Sequence, residues 1–187
     1  MSAPIFLLSL LMHGLTGAPQ NAQARVMQGA KNQLSVPAQY TPGYAKLQYP
    51  GGDLPASKGV CTDVVIRALR FAGKDLQQLI HEDMKRRFRT YPRREAKRDS
   101  NIDHRRVPNQ MHFLRKLGKS LPLTAAKGVW RPGDIVYWKL DNNLDHCGIV
   151  SDRLSAKGLP LVIHNIWQTA EEDVLTKWRI IGHFRYP

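Results

Sequence analysis

Three residues in this 187-residue chain have the types and spacing to carry nucleophilic catalysis: Cys61, His146 and His164. A thiol attacks as its anion, and a helix N-terminus favours that anion because its unpaired backbone N–H groups and dipole stabilise negative charge. Cys61 has that placement. From it the apolar residues Val64, Val65, Ala68, Leu69 and Ala72 recur at helical spacing, with Asp63, Arg67 and Arg70 on the other face and Gly73 just beyond. A thiolate also needs a base, and the base needs a third polar group to fix its tautomer. His146 opens the strand-like run HCGIVSD, after the turn residues Asp141 to Asp145. His164 lies inside the next run, VIHNI, where a polar side chain in an apolar stretch calls for an explanation. Neighbouring antiparallel strands would bring the two imidazoles together. Asn165 competes for the third position, and alternation lets only one of His164 and Asn165 face the site.

The second cysteine, Cys147, leaves another reading open: a Cys61–Cys147 bridge, which would suit an oxidising compartment. Alternation sets the two readings against each other. If His146 faces Cys61, Cys147 is expected to face away and miss the same sulfur. No cysteine or histidine spacing of the zinc-site kind occurs, and no glycine-rich phosphate loop.

The elements that must hold these residues come in two blocks. Helical patterns run from Cys61, through Leu76, Leu79, Ile80, Met84 and Phe88, and through Val107, Met111, Leu114 and Leu117, with Pro108 near the last start and Gly118 at its end. After Gly133 come four strand-like runs, 135–140, 147–151, 161–166 and 178–186, the last two separated by the acidic stretch 171–173. Helices followed by strands, without alternation, predict an α+β domain with helices packed on one face of an antiparallel meander. The length suits one core.

The segments YPGGDLPASKGVCTDVV, RPGDIVYWKLDNNLDHCGIVSD and VIHNI together resemble the NlpC/P60 superfamily of papain-like cysteine peptidases, in its DUF1287 branch. The resemblance covers Tyr49 to Tyr186. It implies a papain-like NlpC/P60 fold, with Cys61 as nucleophile, His146 as base and His164 as the orienting residue. Tyr49 matches the family tyrosine that donates its hydroxyl to the developing oxyanion. With Tyr49, Asp63 is taken as a substrate contact; it stands in the run Val60-Cys61-Thr62-Asp63, which departs from the usual Asp-Cys-Ser-Gly. The paired glycines Gly51 and Gly52 are expected to permit close backbone approach at the cleft. Asp134 reads as a strand-start residue, not a catalytic acid.

Residues 1–24 read as a cleaved secretory signal: an apolar run from Pro4 to Ala18, too short to span a bilayer, then Ala22-Gln23-Ala24 ahead of the first charge at Arg25. Residues 25–46 read as a linker, and 47–187 as the catalytic domain. A periplasmic or secreted monomer without an integral membrane span is therefore expected. The net charge is +13, concentrated in Lys85, Arg86, Arg87, Arg89, Arg93, Arg94, Lys97 and Arg98, and calls for an anionic partner. The motif NIDHRRVPN, from Asn101 to Asn109, is a candidate anion site beside the cleft. The resemblance makes that partner peptidoglycan or another anionic cell-envelope polymer, and the reaction amide hydrolysis in stem peptides or cross-links, with no metal or organic cofactor. The competing function is a non-catalytic basic module that binds an anionic polymer, with the two cysteines bridged.

Overall fold

The computed structural model describes residues 21–93, 95–124 and 126–187. The leader up to position 20, and Arg94 of the basic run, lie outside the described residues. The α+β order holds. Helices α1 (Ala22–Lys31), α2 (Cys61–Phe71), α3 (Leu76–Arg87) and α4 (Val107–Leu117) precede most of the strands. A two-residue parallel pair, β1 (Gln39–Tyr40) and β2 (Lys58–Gly59), lies between α1 and α2. The main sheet contains β3 (Lys119–Ser120), β4 (Ile135–Lys139), β5 (Asp145–Leu154), β6 (Pro160–Asn165), β7 (Thr169–Glu172) and β8 (Arg179–Arg185).

All pairings in that sheet are antiparallel, in the order β3-β8-β4-β5-β6-β7. Only part of it is the meander expected from sequence. Strand β7 forms from the start of the acidic stretch and occupies the outer edge of β6, so β8 returns across the sheet to the free edge of β4.

Alternation along the central strands gives the sheet two cores. Ile135, Tyr137, Cys147, Ile149, Ile163 and Phe184 face the helices, packing on Val64, Val65, Ala68 and Leu69 of α2. Val136, Trp138, Val150 and Val162 face the other way, beneath Trp130, Leu159, Val174 and Leu175 from the connecting loops. Helix α2 is buried along most of its length. Each of its large aliphatic side chains contributes about 1.5–3 kcal/mol by leaving water, which fixes where its first residue, Cys61, comes to rest on the sheet.

Residues 25–46 are not a free linker. Asn21 caps α1 by accepting a hydrogen bond from the Ala24 backbone N–H, and Val26 and Ala30 are fully buried against α2. Their spacing of four residues puts both on one helical face. Ala24, the expected cleavage point, thus sits in the first turn of α1. No helix among the described residues is long and apolar enough to cross a membrane.

Candidate active site

Cys61 is the first residue of α2, after the extended Val60. Its own backbone N–H, like others in a first helical turn, has no acceptor within the helix. Asp63, two residues on, accepts from the Val60 N–H at 2.8 Å and so closes the helix start. A carboxylate that close would oppose a thiolate, but it is taken up by Arg105: the guanidinium donates from Nε and Nη2 to both Asp63 oxygens at 2.9 Å, with both side chains buried. Thr62 Oγ1 donates to the Arg105 carbonyl at 3.1 Å, locking the 103–105 turn to the same helix.

The Cys61 pKa is lowered to about 5. The largest cause is a hydrogen bond from the Cys147 thiol; burial opposes it, and the hydrogen bond and charge of the His146 ring and the Cys147 backbone N–H add to it. Burial and the Cys61 charge push the Cys147 thiol well above its ordinary value, so Cys147 keeps its proton and donates it. Both cysteines are free. Strand alternation operates as expected, with Cys147 on the helix side of β5 and His146 stacked on Trp138 at 5.7 Å on the other. The exclusion drawn from it fails, because the start of α2 lies against the start of β5, where one sulfur reaches both residues.

His146 and His164 meet as expected. Residue 148 pairs with residue 164 across β5 and β6, and His146 Nε2 lies 2.9 Å from His164 Nδ1. His164 Nε2 lies 2.8 Å from Glu172 Oε2. The carboxylate can only accept, so His164 carries its proton on Nε2, its Nδ1 accepts, and His146 Nε2–H donates. Nδ1 of His146 is then the nitrogen left for Cys61. Burial, followed by the charge of His146, lowers the His164 pKa to about 4, which keeps that ring neutral and able to accept. Trp138 and Trp178 wall the two rings at centroid distances of 5.6–6.4 Å. Gly148 lets the strands approach this closely: a Cβ there would stand 2.7 Å from Val162 Cγ1 and 3.0 Å from His164 Cβ. Asn165 faces away and donates to the Ala38 carbonyl at 2.8 Å, so His164 takes the third position.

A family model described as "Domain of unknown function (DUF1287)" matches residues 27–186. This chain belongs to the DUF1287 family. A relative from Escherichia coli (strain K12), the "Uncharacterized protein YijF", is 50% identical over 169 residues, covering 89% of this chain and 82% of its own. The matched region of this DUF1287 chain takes in α2, all the strands and the whole line from Cys61 to Glu172.

Two expected site residues are elsewhere. Tyr49 donates to Glu82 Oε1 at 2.8 Å, packs on His81 and does not line the Cys61 cleft. The turn at Gly51 and Gly52 is likewise tied to α3, through Asp75 and Gln77. Asp63 is 3% exposed and fully engaged by Arg105 and Val60, which leaves it no substrate to meet. The tyrosine that lines the Cys61 cleft in this DUF1287 chain is Tyr40 of β1. Burial and the Cys61 charge raise its pKa.

The cleft has a volume of about 500 Å³. Arg93, Arg106 and Asp145 line it, so it presents both signs of charge around the sulfur. Of the NIDHRRVPN motif, Ile102, Arg105, Arg106, Val107 and Pro108 border this cleft, while His104 is buried and lowered to about 4 by desolvation. Asp134 is a structural residue. Burial raises its carboxyl, but hydrogen bonds from His183, Arg185 and the Arg131 N–H outweigh that and hold it below the ordinary range. Among the described residues no group of three or more His, Cys, Asp or Glu could hold a metal ion.

Proposed function

We propose that this protein is an exported thiol hydrolase of the papain-like type, cleaving amide bonds in peptidoglycan stem peptides or cross-links. The observation that carries the reading is the line from His146 through His164 to Glu172, joined by contacts of 2.9 and 2.8 Å, beside the acidified Cys61 thiol at the edge of an open cleft. The Cys61 thiolate attacks the scissile carbonyl and forms the carbon–sulfur bond, while the backbone N–H of Cys61 stabilises the oxyanion. His146, as imidazolium, gives its proton to the leaving amine as the carbon–nitrogen bond breaks. Water then loses a proton to His146 and displaces the thiolate, releasing the carboxylic acid. Tyr40 takes the place at the cleft that was expected of Tyr49.

Peptidoglycan stems suit the cleft because they carry carboxylates and free amines. Arg93 and Arg106, the latter also paired with Glu95 at 2.8 Å, and Asp145, paired with Lys139 at 2.6 Å, line the cleft and offer partners for both. The apolar run from Pro4 to Ala18 supports export, and the basic chain would concentrate on anionic envelope polymers. The competing binding-module reading rests on a Cys61–Cys147 bridge, and in this structure both cysteines are unbridged.

Purified murein incubated with the wild type and analysed by mass spectrometry should yield fragments with newly freed amines and carboxylates. Cys61→Ala should yield none while keeping the wild-type melting temperature within a few degrees. Equal digestion by both proteins would remove Cys61 from the mechanism.

A further inference from the structure

A second pocket lies at the far end of the histidine line. It has a volume of about 220 Å³ and is lined by Gln39, Ile166, Trp167, Gln168, Ala170 and Glu172. Trp167 is 82% exposed, although an indole exposes a large apolar area that folding ordinarily hides. It is not on a loose loop. The Tyr40 N–H donates to the Trp167 carbonyl at 2.8 Å, the Thr169 N–H to the Ala38 carbonyl at 2.9 Å, and residues 39 and 168 form a bridge. The backbone is therefore pinned on both sides of an indole left in water.

The polar groups around it are incompletely used. Gln39 Nε2 donates to Gln168 Oε1 at 3.2 Å, which leaves Gln39 Oε1 as an acceptor and Gln168 Nε2 as a donor side by side. Glu172 gives Oε2 to His164, and Oε1 has no protein partner among the described residues. No lysine or arginine lines the pocket. A flat apolar face rimmed by two amides and a carboxylate, without a cation, is complementary to a ring that is apolar on one face and carries hydroxyl and amide groups at its edge. We infer that this pocket binds an N-acetylated pyranose of a glycan strand, stacked on Trp167 with its hydroxyl or acetamido groups on Gln39, Gln168 and Glu172. A phosphate-bearing or otherwise polyanionic ligand would find Glu172 opposing it and no cation to hold it.

This inference rests on the hydrolase reading only for its consequence, that stems still attached to glycan are preferred over free peptides; binding itself is independent of turnover. The test uses the full chain with Cys61→Ala and the N-acetylglucosamine trimer as probe. The other tryptophans are largely or partly covered, so a change in intrinsic fluorescence reports chiefly on Trp167. Saturable titration by the trimer, weakened at least tenfold in Trp167→Ala and several-fold in Gln168→Ala, is expected. Trp167 is exposed, so its replacement should leave the melting temperature unchanged. No saturable response, or equal affinity in Trp167→Ala measured by calorimetry, would overturn the sugar site. If the wild type leaves murein uncut while the trimer still binds, the hydrolase reading fails and the sugar site stands.

Discussion

Two histidine–carboxylate pairs lie on the same face of the sheet, the one opposite the helices, and they differ in what the second ring nitrogen meets. In one, His183 Nε2 contacts Asp134 Oδ2 at 2.9 Å and Nδ1 contacts the Pro122 carbonyl at 3.0 Å. Arg185 closes the cluster with bonds of 2.7 and 2.8 Å to Asp134, and Trp130 stacks on the ring at 3.5 Å. Both nitrogens face fixed acceptors and both Asp134 oxygens are engaged, so neither ring nitrogen is left for another partner. In the other, His164 contacts Glu172 and His146, and His146 has Nδ1 left for a thiol. Burial and a carboxylate partner are common to both; an open end to the line is not. That open end marks the site off from a structural cluster built of the same residue types.

The sharpest way to break this comparison is to disable each cluster and read rate and stability separately. His146→Ala should lower single-turnover cleavage roughly 10²–10⁴-fold, the range for loss of a positioned acid–base group. Asp134→Asn should leave the rate per folded molecule within about twofold and cost about 3–5 kcal/mol of stability, because it unpairs the buried His183 and Arg185 contacts. Urea denaturation with matched kinetics checks both. A large rate loss in Asp134→Asn would mean the two clusters are not separate.

The sequence made Cys61, His146 and His164 legible because helix onset and strand alternation fix their directions: eight of the eleven residues of α2 are buried, so its register could be read from its apolar pattern. Glu172 was hidden because Glu171 to Asp173 read as a break between strands. It is the second outward residue of a four-residue strand, two positions past the partner of His164, and only the β6–β7 pairing shows that. Asp63 misled for a related reason. Its spacing from Cys61 says where it starts, but its buried partner Arg105 is 42 residues away. Tyr40 and Tyr49 have nearly the same local context, each near a proline and glycine, and the choice between them is made by the parallel pairing of β1 with β2. The burial of Val26 and Ala30 was lost because α1 is too polar to be recognised without α2 beside it.

Acid should separate the clusters next. His164 and His104 are lowered to about 4 from 6.5, each chiefly by burial. Between those values the unfolded chain holds more protons than the folded one, so stability falls as pH drops from about 6.5 to about 4 and the loss levels off below. Each tenfold difference in proton affinity between the two states is worth about 1.4 kcal/mol, so each of the two histidines amounts to a few kcal/mol. Asp134, held below its ordinary 3.8, acts in a different window: its contribution is present above that value and is lost as pH falls below about 4. Chemical denaturation at pH 7, 5.5, 4.5 and 3.5 should show two stages, and His104→Gln should shrink only the first.

A smaller effect tests the end of the open line. Glu172 touches no reacting atom and acts by holding the His164 tautomer, so Glu172→Ala should lower the rate roughly tenfold and Glu172→Gln less, since the amide oxygen can still accept from His164 Nε2–H. A merely structural role would leave the pH–rate profile in place. Loss of the carboxylate should instead shift its limbs, because the charge that supports His164 reaches His146 through one hydrogen bond of 2.9 Å.

The smallest expected effect concerns the other side of the strand. The structure gives Cys61 two kinds of support, the Cys147 thiol and backbone N–H from the helix-facing side and the His146 ring from the opposite one. Cys147→Ala removes the thiol donor, leaves the backbone N–H, and costs about 1 kcal/mol for the small void. The pH at which iodoacetamide alkylates Cys61 at half its maximal rate should rise, yet stay below the ordinary value for cysteine, because His146 still favours the anion. His146→Ala should raise it too, and the double variant further than either. An unchanged midpoint in Cys147→Ala would assign the activation to the histidine line and the helix start alone, and Cys147 would then be a core residue that happens to touch the sulfur.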